Sequence, residues 1–271
     1  MRDRIRLRAD CTRCFGLCCV VPALIASADF AIDKPAGQPC PHLDTDFRCG
    51  IHAQLRERGF PGCAAYDCFG AGQQVAQVTF GGRDWRQSAA IARQMFAVFP
   101  IMRQLHELLW YLAEALTLGA ARSLHGELRR ALDQTDVLRK AGAEELMNVD
   151  MAEHRRMVNA LLLRTSELVR SKARRQPQNY RGADLSGARL AGADLTAANL
   201  RGALLIGADL TGADLTTADL TGTDLRGANV ARADLARSIF LTQSQLNVAK
   251  GDAATKLPRR SLRRPGHWLA K

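Results

Sequence analysis

Beyond Cys68 this 271-residue chain has no cysteine at all, and its aromatic content is only 6%. The missing cysteines exclude a disulfide framework running through the whole molecule. No apolar stretch is long enough to span a bilayer. The best of them, residues 108–118, is too short and is interrupted by Glu114. The N-terminus, Met1-Arg-Asp-Arg-Ile-Arg-Leu-Arg8, runs into the cysteines with no apolar segment between. That excludes a secretory signal and predicts a cytoplasmic protein with no membrane span. The catalytic signatures are missing too: there is no P-loop, GxSxG or HExxH, and Gly70-Ala-Gly72 does not open a dinucleotide fingerprint. No catalytic residue is proposed, and the balance is against an enzyme.

What is present is ordinary globular material, 47% apolar, which argues against a disordered chain. The formal charge is +11, and its placement is uneven. Residues 180–240 carry 6 Arg against 7 Asp and are nearly neutral, whereas 241–271 carry 7 basic residues against Asp252 alone. The tail around Pro258-Arg-Arg-Ser-Leu-Arg-Arg is read as an extended, solubilising end. Nucleic-acid contact there is open but not favoured.

The pattern divides the chain into a cysteine-rich region at 8–83, a helical region at 84–172 and a polar linker at 173–179. A repeat follows at 180–240, then a short helix at 241–250 and the basic tail at 251–271. In the helical region Asp84 is a candidate N-cap, and Pro100 is expected to kink or split the first helix. Leu105, Leu108, Leu109, Leu112 and Leu116 recur at helical spacing, as do Leu124, Leu128 and Leu132. Gly142 offers a break before a last helix from Met147 through Met151 and Val158 to Leu168. The helices are expected to pack as a hairpin or bundle. Thr242-Gln-Ser-Gln245 has the form of a capping box opening the short helix.

The repeat has a period of five, which is neither the helical 3.6 nor the strand 2. Leucine stands at 185, 190, 195, 200, 205, 210, 215, 220, 225 and 235, with Val230 and Phe240 in frame and Tyr180 extending it backwards. A small residue precedes each by two positions, and Asp or Asn commonly lies between them, as in Ala183-Asp184-Leu185. The large and small residues are expected to point inward, the acid or amide outward, with Gly or Thr at the corners. This pattern resembles the pentapeptide-repeat family, whose unit is A(D/N)Lxx. The resemblance implies a right-handed quadrilateral β-helix with four repeats to a coil. Thirteen centres from Tyr180 to Phe240 then give about three coils, a stack roughly 15 Å tall. Both open ends of so short a stack need lids. The helix after Thr242 would close one end; the linker and the last helix before it would close the other.

All eight cysteines fall in 58 residues: Cys11, Cys14, Cys18, Cys19, Cys40, Cys49, Cys63 and Cys68. In a reducing compartment such clustering points to metal or redox chemistry, because thiolates are soft, charged donors. Close pairs combined with distant ones allow one or two four-ligand sites. Gly16, Gly50 and Gly62 lie beside the ligands, where tight turns are needed. The order Cys-x2-Cys-x3-Cys-Cys, with Lys34-Pro-Ala-Gly37 before Cys40-Pro-His-Leu43 and with Cys49-Gly-Ile51, resembles the zinc- or iron-chelating CxxCxxxCC domain. That resemblance implies a bound metal with the cysteines as ligands, and leaves zinc against an iron–sulfur cluster undecided. Arg58-Gly-Phe-Pro61 stands where an Arg-Pro element is expected, which puts the role of Cys63 and Cys68 in question. His42 and His52 are read as flanking residues, not ligands.

The expected architecture is therefore multidomain α + β: a cysteine-rich metal domain, a helical hairpin or bundle, and a pentapeptide-repeat β-helix. The expected function is a metal-binding interaction scaffold or redox-responsive module, monomeric or weakly dimeric, with an unidentified protein partner. Two alternatives stand beside it, a topoisomerase-directed DNA mimic and a metal-dependent modifying enzyme. The mimic is disfavoured because Arg181, Arg189, Arg201, Arg226, Arg232 and Arg237 nearly cancel the Asp column.

Overall fold

A computed structural model describes residues 7–173, 176–258 and 262–269. The chain forms two compact units. One comprises the described residues up to Thr117 together with Ser123–Leu162, the other Leu118–Arg122 with the described residues from Leu163 onward. Among the described residues there are eight α-helices, called here α1 (Leu17–Val20), α2 (Pro61–Ala65), α3 (Ala71–Gln73), α4 (Ala89–Ala115), α5 (His125–Leu138), α6 (Ala143–Met147), α7 (Met151–Arg170) and α8 (Gln243–Val248). A π-helical turn, Gln74–Thr79, continues α3.

The first unit has one shared core. Leu17 of α1 and Ala71, Val75 and Phe80 of the cysteine-rich region are buried together with Met95, Val98, Phe99, Met102 and Leu105 of α4 and with Leu146 of α6. α4 packs against both α5 and α6. Pro100 does not split α4, which continues through it for 27 residues. Its ring lies on the exposed side, while Val98, Phe99 and Met102 around it are buried, and this packing outweighs the lost backbone hydrogen bond. Nor is Asp84 the N-cap. That role falls to Ser88, whose hydroxyl accepts from the Ile91 N–H at 3.2 Å. Asp84 instead accepts from the Arg86 N–H at 2.8 Å and closes a local turn, which displaces Trp85 from the helix. Met147 and Met151 also lie in different helices, because Asp150 accepts from the Glu153 N–H at 2.9 Å and starts α7 anew.

The second unit carries the repeat. Parallel bridges link residues twenty apart: Asp184 to Leu204, Arg189 to Asp209, Asp194 to Asp214, Asn199 to Asp219, and so on. They fall into four columns, one beginning with each of these pairs or, for the last, one step earlier at Asn179–Asn199. The repeat is thus held by isolated bridges between turns, with no extended strand among the described residues, and helices supply most of the regular structure.

The inward residues follow the five-residue frame. From Leu195 to Leu235 every leucine of the frame and Val230 are at most 2% exposed, and Ala203, Ala208, Ala213 and Ala218 are fully buried. Each such leucine adds about 1.5–3 kcal/mol over an exposed one. The corners require positive φ, and glycine supplies most of them, as at Gly207 (65°). Ala197, Thr217 and Arg232 take the same conformation at 56–59° without that freedom.

The Asp/Asn column has a local structural task. Asp184, Asp209, Asp214, Asp224 and Asp234 each accept from the N–H two residues on, at 2.8–3.1 Å. The hydroxyls of Ser186 and Thr211, together with these N–H groups, hold the carboxyls of Asp184 and Asp209 below the usual range.

The tail is not an extended basic end. The column of bridges continues from Asn229 to Lys250 and from Asp234 to Lys256, so residues after 241 add to the stack. Trp268 is 5% exposed and belongs to the core of the repeat, where Leu257 and Leu262 also pack. Leu246 of α8 is fully buried there too. The capping box forms, with Thr242 N–H donating to Gln245 Oε1 at 2.7 Å. Gln245 Nε2 then donates to the carbonyls of Leu220 and Thr223, which the last turns leave without a further coil. At the opposite end Leu185 and Leu190 are only half-buried. Residues 259–261 of the Arg-rich patch lie outside the described residues.

Candidate metal centre

Each cysteine segment is placed by a short, tightly turned element. Cys11 opens a 3-10 turn, Cys11–Arg13, capped by Asp10, whose carboxylate accepts from Thr12 N–H at 3.1 Å. In such a turn residues three apart lie on one face, which brings Cys14 beside Cys11. Gly16, at φ 65°, then starts α1, which carries Cys18 and Cys19. Their Sγ atoms are 4.0 Å apart. Gly16 has a packing reason to be glycine as well, because a Cβ would stand 2.6 Å from Leu43 Cδ1.

The remaining cysteines converge on this segment. Cys40 N–H donates to the Cys19 carbonyl at 2.9 Å, and Cys49 pairs in a bridge with Leu43. Cys63 lies in α2, joined to the Cys40 loop through the Phe60 and His42 rings, whose centroids are 5.2 Å apart and edge to face. Cys68 accepts at its carbonyl from Ala71 N–H, at the start of α3. Here Gly72 approaches Cys14 so closely that a Cβ would meet its Cβ at 2.8 Å.

A buried lysine anchors the same region. Lys34 is 4% exposed, and its ammonium donates to the carbonyls of Val20, Pro22, Pro35 and Gln38 at 2.6–3.1 Å. Its charge also acts on the thiols of Cys19, Cys40 and Cys63. Sequence reading took Lys34 only as part of a motif; the signal for a buried cation was its place between Asp33 and Pro35 amid apolar neighbours, which is too weak to find it.

Comparison with known proteins bears on the repeat. The Pentapeptide repeats family model matches eight copies over residues 181–222 and 203–240. The uncharacterized protein YybG of Bacillus subtilis (strain 168) is 61% identical over 265 residues, which cover 97% of this chain and 95% of YybG. The chain is a pentapeptide-repeat protein, in one family with YybG. A pentapeptide repeat protein of known structure, Rfr23 from the cyanobacterium Cyanothece 51142, is 32% identical over 29% of this chain and 56% of its own, with a TM-score of 0.18.

The pentapeptide-repeat protein keeps all eight cysteines as free thiols, of which Cys11 is exposed and Cys14 buried. Their electrostatics are those of crowded sulfurs. Contact with the Cys14 thiol pulls Cys11 down to about 6, and the same contact, with burial, drives Cys14 up. Burial, followed by the neighbouring Cys19, Cys40 and Cys49, pushes Cys63 up to about 12. Among the described residues, no three His, Cys, Asp or Glu side chains stand together as a ready metal-binding group. The donors nonetheless fit a thiophilic metal. Burial raises the thiols of Cys40, Cys49 and Cys68, and contact with Cys11 together with burial raises that of Cys14, while the backbone N–H groups of Gly16, His42, Ile51 and Gly70, two residues on, act the other way. Hydrogen bonds of this kind favour the thiolate over the thiol. Four sulfurs at about 2.3 Å from one metal lie about 3.8 Å apart, close to the 4.0 Å between Cys18 and Cys19. The His42 ring packs edge to face on Phe60, and the charge of His52 acts on the Cys11 thiol.

No helix among the described residues is long and apolar enough to cross a membrane.

Proposed function

We propose that this pentapeptide-repeat protein is a metal-binding interaction scaffold, with Cys11, Cys14, Cys18, Cys19, Cys40, Cys49, Cys63 and Cys68 as ligands of zinc or of an iron–sulfur cluster. The observation that carries this reading is the convergence of free thiols from separate loops, joined by the Cys40–Cys19 backbone hydrogen bond and the Leu43–Cys49 bridge. Bound metal would tie these loops together, and its binding free energy would add to the stability of the fold. A saturated all-thiolate site has no open coordination position, which favours a structural or redox-sensing role over catalysis. The repeat is read as a right-handed quadrilateral β-helix that offers a rigid face to a protein partner. Its carboxylates are engaged in the turns and interleaved with arginines, which leaves little support for a DNA mimic. The protein acts in the cytoplasm, as a monomer or weak dimer, since α8 and Trp268 close one end of the stack.

Anaerobic purification followed by metal and acid-labile sulfide analysis, with an absorption spectrum, tests the reading. At least one equivalent of zinc or of an iron–sulfur cluster is expected. Less than one equivalent of any metal, with eight titratable thiols, would overturn it.

A further inference from the structure

We propose that a cleft of about 550 Å³, lined by the turn at Asp10, the π-helical turn and the residues just past α5, binds a compact organic phosphate. No cysteine is among the described residues that line it. The inference therefore goes beyond the metal-binding reading and does not depend on it.

Three glutamines on α3 and the π-helical turn hold the walls together. Gln73 Nε2 donates to the Arg8 carbonyl at 2.6 Å, and its Oε1 accepts from the Asp10 N–H at 3.1 Å. Gln77 Nε2 donates to the Arg13 carbonyl at 2.9 Å. Gln74 secures the other wall: its Nε2 donates to the Arg139 carbonyl at 3.2 Å, and its Oε1 accepts from Arg139 Nη1 at 3.3 Å. These five hydrogen bonds each join residues 63–65 apart, so the cleft is built by the tertiary fold and not by one loop. A single π-helical turn is a rare feature that recurs at functional sites.

The lining is cationic. Arg8, Arg13, Arg139 and Lys140 face the cleft, and Asp10 is the one carboxylate among the described residues that line it. That carboxylate is engaged by Thr12, whose N–H and hydroxyl both donate to it. Asp136 pairs with both Arg139 and Lys140. Four cationic side chains against these two carboxylates leave two positive charges, which match a phosphate monoester dianion. Arg139 is the anchor, a charged group only 9% exposed. Its Nε is held on Asp136 at 2.6 Å and its Nη1 on Gln74, while Nη2 has no protein partner among the described residues. A guanidinium fixed in this way presents its remaining donors as a planar fork suited to phosphate oxygens, and loses little freedom on binding. No aromatic side chain is among the described residues of the lining, so a nucleobase has nothing to stack on. The volume suits a small molecule. Charge, size and the lack of a stacking surface together select a compact phosphate ester.

Isothermal titration of the full chain with glycerol phosphate, at fixed ionic strength and in one fixed metal state, tests the site, with citrate as the polycarboxylate comparison. Saturable one-to-one binding is expected, with a Kd of about 1 mM or tighter, and weaker binding of citrate. Arg139→Lys keeps the charge but loses the fork, and should weaken glycerol phosphate about tenfold. Arg13→Gln alters an exposed side chain and leaves its carbonyl to Gln77; it should weaken binding about threefold or more. Labelling of the natural chain with phenylglyoxal, mapped by mass spectrometry, requires no variant to fold. Glycerol phosphate should protect Arg13 and leave Arg181 of the repeat unchanged. Absence of saturable binding, equal protection of Arg13 and Arg181, unchanged affinity in both variants, or citrate binding as tightly would each overturn the proposal.

Discussion

Trp268 lies against Gly251 so closely that a Cβ on the glycine would stand 2.6 Å from two carbons of the indole. The indole N–H also donates to the Ala249 carbonyl at 3.0 Å. The ring therefore sits over the last turns of the stack as a lid, and Gly251 is where the chain makes room for it. Gly251→Ala should push the ring aside, and Trp268→Ala should remove it, at a cost of about 3 kcal/mol or more. In urea denaturation the order of midpoints should be native, then Gly251→Ala, then Trp268→Ala. Equal midpoints for all three would show that the lid contributes nothing.

Thr217 holds a corner at φ 57° that Gly207, Gly212, Gly222 and Gly227 hold elsewhere without strain. Left-handed backbone costs an L-residue roughly 1–2 kcal/mol, and a β-branched one is poorly suited to it. The Thr217 hydroxyl donates to the Thr216 carbonyl at 2.7 Å and recovers part of that. Thr217→Gly should accordingly raise stability by about 0.5–1 kcal/mol despite the extra freedom of the unfolded chain. The reverse substitution, Gly207→Thr, should lower it by at least as much. Thermal unfolding of the two variants checks the signs.

The repeat was legible from sequence because its signal is redundant: a wrong residue at one frame position, such as Arg189 or Leu204 in the Asp column, leaves the period intact. The tail was misread for the opposite reason. Its composition is dominated by arginine, and one tryptophan among charges gives no periodic signal, although Trp268 is what closes the stack. Ser88 and Asp84 are equally good caps by residue type, and only the packing of Trp85, whose indole donates to the Phe15 carbonyl, decides between them. At the candidate metal centre the cysteines themselves were evident. Which of them lie near one another was not, because Cys18 and Cys19 sit in a four-residue helix and their neighbours arrive from distant loops.

Arg201 and Asp219 form an ion pair within the repeat at 3.2 Å, with the Asp219 side chain fully buried and that of Arg201 10% exposed. Asp219 also accepts from the backbone N–H and the hydroxyl of Thr221. Arg201→Met would strand a carboxylate away from water, at about 3–5 kcal/mol. The nearby charge of Arg170 acts on the same carboxylate and places the loss at the lower end of that range. Arg201→Met combined with Asp219→Asn should be more stable than Arg201→Met alone, since an amide keeps the turn acceptor without the charge. A double-mutant cycle by chemical denaturation gives the coupling; a value near zero would place the pair among surface ion pairs.

His106 is 1% exposed, and its Nδ1 lies 2.8 Å from the Phe69 carbonyl. A carbonyl only accepts, so Nδ1 carries the hydrogen, and the bare Nε2 is buried without a partner. Burial pulls the imidazole down from 6.5 to about 4. An unfolded chain takes up this proton near pH 6.5, whereas the folded protein refuses it until about pH 4. Between those values the unfolded state holds more protons, so the contribution of His106 is complete above pH 6.5 and is lost as pH falls toward 4. At 1.36 kcal/mol per unit the full loss is about 3 kcal/mol. His106→Gln keeps a donor for the Phe69 carbonyl but has no proton to gain. Compared with the natural protein in the same metal state, this variant should show a flatter fall in the urea midpoint from pH 6.5 to 4. Parallel slopes would mean that the acid sensitivity of the fold lies in other groups.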